Sequence, residues 1–222
     1  MKKITEIYEK YDIMPNLKDH MLRVGAVAYL ICENIEPSLL NKEEKSDIIE
    51  VCLLHDMGNI VKSDFSLLPP IKDSSKNVEY WKKKKEEYIK KYGEDDHEAT
   101  MKILKEIGRR DNIIHSSDKN RFSLVCDNLN DTDFKIKIIQ YSDFRVGPFG
   151  VLSFEERMEE AKERYKNRPE FLGGDSREKL INCGLEIEKQ IFLKCKIKPE
   201  DINDITVAPI IKELENFEIS VE

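Results

Sequence analysis

Residues 51–62 read VCLLHDMGNIVK, and the rest of the chain is best read outward from them. The first four residues are apolar without alternation, and with Ile48 and Ile49 just before them they predict a helix over 43–57. His55 follows Val51 at i+4 and Ile48 at i+7, so it faces inward with them. Asp56 comes directly after it, and Gly58 offers a left-handed stop to the helix. Two polar side chains at the inward end of so apolar a helix need partners, because burying an imidazole or a carboxylate alone is costly.

Working outward, apolar spacing predicts helices over 2–11, 17–34, 79–93, 95–108, 111–116, 133–145, 153–167, 176–195 and 206–216. Gly93 and Gly108 close two of them, and Ser153 with Glu156 forms a capping box at the start of another. Residues 62–78, with Pro69-Pro70, read as a long loop of the kind that often serves as a lid, and 118–131 as a polar loop. No repeat, low-complexity tract or strand pair stands out. The expected fold is all-α: a helical core over 1–146 and a C-terminal helical extension over 147–222 packed on it.

Of the 222 residues, 40% are hydrophobic and 36% charged, which suits a helical, well-solvated protein. The net charge of −7 supplies no field to draw in a polyanion, so bulk nucleic-acid binding is not expected. The lysine run of residues 82–85 reads as a solvated helix face. The five cysteines, Cys32, Cys52, Cys126, Cys183 and Cys195, form no CxxC pair and are expected to be reduced, packed thiols. Neither a signal-like start nor an apolar run of membrane-spanning length is present, so the expected setting is cytoplasmic, without membrane contact.

The chain has four histidines: His20, His55, His97 and His115. His20 shares a stripe with Leu17, Val24 and Ala28, and Asp143 follows Ile136 and Ile139 at i+7 and i+4. A single His or Asp on an apolar face is usually a satisfied core residue. Four of them, ordered His, His-Asp, Asp on three helices, would all be satisfied at once by a shared divalent cation.

That order, His20…His55-Asp56…Asp143, resembles the H…HD…D signature of the HD superfamily of metal-dependent phosphohydrolases. VCLLHDMGNIVK and KIIQYSDFRVGP resemble two of its motif neighbourhoods, and the resemblance covers about residues 17–146. It implies an HD-type helical bundle with His20, His55, Asp56 and Asp143 as metal ligands, and Asp56 also orienting the attacking hydroxide. The segment DDHEATMKILKEIG resembles the helix on which many relatives carry a third histidine, which makes His97 a ligand of a second metal. His115 stands either as a fourth such ligand or as a surface histidine.

The resemblance further implies one or two divalent ions (manganese, iron, nickel, cobalt, zinc or magnesium) and a small phosphorylated substrate such as a nucleotide. Arg23, one helical turn after His20, and Arg145, just after Asp143, are the candidate catalytic residues for holding phosphate. Lys62 reads as a surface ion-pair residue. Asn59 stands where some relatives carry Lys or Glu; with no downstream Gly-Tyr-Pro motif, the cyclic-dinucleotide subclass is disfavoured. A di-iron oxygenase and a non-catalytic nucleotide-binding module remain as alternative readings.

Overall fold

A computed structural model describes residues 1–66, 76–166 and 174–220. Strand β1 (Lys2–Lys3) leads into α1 (Ile4–Lys10) and α2 (Pro15–Asn34), and α3 (Lys42–Leu54) ends at the His55-Asp56 turn. A 3-10 turn, Asn59–Lys62, follows, then α4 (Val78–Tyr92), α5 (Asp96–Glu106) and α6 (Asp111–Asp118). After a 3-10 turn at Phe122–Leu124 come α7 (Val125–Asn130) and α8 (Phe134–Asp143). The remainder holds α9 (Phe154–Tyr165), α10 (Gly174–Phe192), a 3-10 turn at Pro199–Asp201, α11 (Asp204–Leu214) and β2 (Glu218–Ile219). The fold is all-α, as expected.

Three helices form the centre, and they are the three that carry the candidate ligands. α2 starts with Pro15 at a first-turn position, where a missing N–H is harmless, and buries Leu17, Met21, Val24, Ala28 and Ile31 against its neighbours. α3 is capped by Asn41 and Glu44 and is buried on almost every side from Ile48 to Leu54. Its two buried acids have partners: Glu50 pairs with Arg109 at 2.9 Å, and Asp47 with Arg110 and Asn112. α8 lies across both α2 and α3. α5 packs on the 3-10 turn after the His55-Asp56 turn, while α7 and α10 flank α8 from the other side.

Several expectations need correction. α3 stops at Leu54, and Gly58 has φ −94°, so it is not a left-handed cap. Its need for glycine is steric: a Cβ there would lie 2.5 Å from the Thr100 N and 2.7 Å from the Asp96 O of α5. The helix expected to end before Pro15 does so, but Pro15 itself begins α2. The stretch 118–131 contains α7, six residues being too few to show a helical period; Val125 and Asn128 anchor it. β1 and β2 pair antiparallel, Lys2 with Ile219, a contact between chain ends that no local pattern announces. Cys126 and Cys183 are joined by a disulfide, so only three thiols are free. Part of the expected loop 62–78 and the end of the expected helix 153–167 lie outside the described residues.

The lysine-rich α4 keeps Lys82, Lys83, Lys90 and Lys91 exposed and buries Trp81, Tyr88 and Tyr92. The segment 147–222 meets the core at several places. α11 packs on α2, α10 on α7 and α8, and the Ile4 N–H donates to the Phe217 carbonyl. No described helix is long and apolar enough to cross a membrane.

Candidate metal centre

α2, α3 and α8 bring His20, the His55-Asp56 turn and Asp143 to one point. His20 Nε2 lies 3.2 Å from Asp143 Oδ1 and 3.6 Å from Asp56 Oδ2. His55 Nε2 lies 3.5 Å from the same Asp143 oxygen and 3.8 Å from the same Asp56 oxygen. His20, His55 and Asp143 each offer one donor atom, all within 4.8 Å of one another; Asp56 lies beside this group, outside it, with Oδ2 nearest to His20. Helix spacing explains why three of them meet: His20, His55 and Asp143 each continue a buried stripe of the helix that carries them.

The tautomer of His55 is set by its backbone. Its Nδ1–H donates to the Cys52 carbonyl at 2.8 Å, the last turn of α3, which leaves the Nε2 lone pair pointing at the two carboxylates. That Nε2 is buried and makes no close hydrogen bond, its nearest acceptors being the Asp143 and Asp56 oxygens at 3.5 and 3.8 Å. A buried polar atom without a partner is rare and asks for an explanation, and a cation among two imidazoles and two carboxylates supplies one. The His55 side chain is only 4% exposed, whereas those of His20, Asp56 and Asp143 are 18–26% exposed, so the set is closed at His55 and reachable from the other side.

The electrostatics agree. Burial alone would push the His55 imidazole down, but the Asp56 and Asp143 carboxylates beside it raise it to about 9. Burial likewise works against charge on Asp143, yet His55 and His20 hold its carboxyl well below the ordinary value. Without a cation, a proton shared among these groups takes part of its place.

The surroundings position the ligands. Asn59 Nδ2 donates to Asp56 Oδ2 at 2.5 Å. Gly58 N–H donates to Thr100 Oγ1 at 2.9 Å, tying the turn to α5; nothing in the sequence marked Thr100, which lies 42 residues away.

The other candidates fall differently. His97, in the first turn of α5, has its Nε2 2.7 Å from Asp118 Oδ1 and is not among the three clustered ligands. Asp118 also accepts from Arg121, and these contacts, His97 first, lower its carboxyl. His115 is exposed on α6. Lys62 pairs with Asp96, as a surface ion pair should. Arg23 Nε lies 3.6 Å from Asp204 Oδ1, and its side chain is 19% exposed.

Arg145 is the clearest departure. It is buried, and its guanidinium donates to the carbonyls of Leu152, Pro199 and Ile202 and to the Tyr141 hydroxyl. With these donors committed, it clamps the segments after α8 and before α11.

A family model described as HD domain matches residues 17–136. The chain belongs to the HD domain family. HD domains bind divalent metals and are mostly metal-dependent hydrolases. No curated protein and no solved structure matches this sequence. The HD match ends before Asp143, so that residue's place beside the two histidines rests on the packing of α8.

Proposed function

We propose that this HD protein is a phosphohydrolase of small phosphorylated molecules, nucleotides among them, acting through one divalent cation held by His20, His55, Asp56 and Asp143. The observation that carries the reading is the unpartnered, buried Nε2 of His55, turned by the Cys52 carbonyl toward two carboxylates. When bound, a divalent cation supplies Lewis acidity and brings the ionisation of water close to neutral pH. The rest falls to side chains. His55 presents a fixed lone pair, and Asp56 is kept in place by Asn59. Asp143, its carboxyl held low by its neighbours, lies 3.2 Å from His20 Nε2 and holds that ring in line.

Arg23 is the residue we assign to the phosphate. It stands one turn beyond His20 on α2, so it lies along the same face as the ligands. Among the described residues its contact is the long one from Nε to Asp204, which leaves its terminal donors available for an anion. His97 is engaged by Asp118, so a single cation is the arrangement these side chains support best.

The test is release of inorganic phosphate from a panel of nucleotides and phosphomonoesters, with Mn²⁺ or Fe²⁺, in air and without oxygen. Release indifferent to oxygen, and reduced about 100-fold by Arg23→Ala, is expected. Oxygen uptake that depends on substrate, with no phosphate released, would overturn the hydrolase reading in favour of an oxygenase.

A further inference from the structure

The Cys126–Cys183 bond joins α7 to α10 across 57 residues of chain, and Asp143 lies within the loop that it closes. Both residues are half-buried, and Cys183 lines an open groove of about 480 Å³ together with Leu129, Glu178, Lys179 and Asn182. A small thiol can therefore reach the bond from solvent. The free cysteines are poor partners for exchange. Cys32 and Cys52 are buried, and burial pushes the Cys195 thiol up to about 11. Since the thiolate is the reactive form, these thiols compete poorly in exchange with the 126–183 pair.

The two stapled helices hold α8 between them. From α7, Asn128 donates to Gln140 Oε1 at 3.1 Å. On the α10 side, Lys137 donates to Gln190 at 2.7 Å, and the Tyr141 hydroxyl donates to Glu188 at 2.6 Å. Gly184, next to Cys183, lies flush against the Phe154 ring, where a Cβ would collide. Phe154 in turn meets Phe144 edge-on at 5.8 Å, and Phe144 is the residue after Asp143. Contacts thus run without a gap from the sulfurs to the end of α8.

We propose that Cys126–Cys183 is a thiol–disulfide exchange site whose reduction loosens the end of α8 that carries Asp143. A thiolate attacks Cys183 Sγ from the groove, forming a mixed disulfide as Cys126 leaves and takes a proton. A second thiol cleaves the mixed disulfide, so two small thiols become one disulfide while the protein gains two thiols. Reduction removes the closed loop and leaves α7, α8 and α10 held by packing and these hydrogen bonds.

The experiment uses the metal-free protein, oxidised or reduced with millimolar dithiothreitol, alongside Cys126→Ser/Cys183→Ser and a Cys195→Ser control. Thiols are counted under native conditions, and amide hydrogen exchange is followed over residues 134–143. Reduction should expose two further reactive thiols, lower Tm by about 10 °C, and speed α8 exchange roughly tenfold. Cys195→Ser should change none of these. Should the double variant fail to fold, reduced wild type provides the comparison. A bond that survives dithiothreitol in the folded protein overturns the proposal, as does α8 exchange that stays within about twofold after reduction. The link to metal binding rests on Asp143 being a ligand. Failure of both redox states to bind metal would count against the metal centre, while α8 exchange still decides this inference.

Discussion

Gly58→Ala is expected to unfold the protein at a lower temperature and to weaken metal binding. The glycine has φ −94° and ψ −3°, which alanine adopts without strain, so the substitution isolates one effect. A Cβ would sit 2.5 Å from Thr100 N, 2.7 Å from Ala99 Cβ and 2.7 Å from Asp96 O. Two of those three atoms are helix backbone, so no rotamer change relieves the clash. Either α5 or the His55-Asp56 turn has to move by roughly 1 Å, and overpacking of this kind costs about 1–3 kcal/mol. For a chain of this size, at about 2–4 °C per kcal/mol, that is a Tm lower by about 2–12 °C. The opposing term is small and opposite in sign: alanine restricts the unfolded chain and alone would stabilise by about 0.4–1 kcal/mol. Thermal unfolding followed by circular dichroism of metal-free protein therefore reads the sign directly. The same displacement misplaces Asp56, so metal affinity should fall as well. A Tm equal to or above wild type would show that α5 does not press on the turn and would refute the packing argument.

Other outcomes follow from the same geometry. His55 is raised from 6.5 to about 9, so its contribution to the stability of metal-free protein, on the order of 3 kcal/mol, is present below pH 6.5. That contribution is lost as pH climbs toward 9; Asp143, lowered below 3.8, contributes above that value and is lost as pH falls. Metal affinity should run the other way between pH 6 and 9, rising as His55 gives up its proton, and paired Tm and metal-competition series would expose any failure of this crossing. Arg145→Met strands three carbonyls and a hydroxyl, and should lower stability by about 3 kcal/mol or more in denaturant titrations. An unchanged midpoint with lost turnover would return Arg145 to the catalytic site. His97→Ala should keep wild-type metal content, because His97 holds Asp118; metal lost on this change would make His97 a ligand.

The residues that meet at the centre were legible because helix spacing is a local property. His20, His55 and Asp143 each continue an apolar stripe that can be counted off the chain, and the helices carrying them form close to where that counting puts them. What escaped depends on which helices become neighbours. The His97–Asp118 pair, the acceptors around Arg145 and the Cys126–Cys183 bond each join residues that no short-range pattern connects. Gly58 shows the limit most sharply. It was read as a helix stop, a common use of glycine, whereas its reason is the backbone of α5 pressing from 42 residues away.

The central claim is that the unpartnered His55 Nε2 faces a cation shared with His20, Asp56 and Asp143. The most direct measurement is elemental analysis of protein purified without added metal, comparing wild type with His55→Ala, with helical circular dichroism as the check on folding. The account predicts a transition metal bound to wild type and nearly absent from the folded variant. A folded His55→Ala protein that carries as much metal as wild type would contradict it.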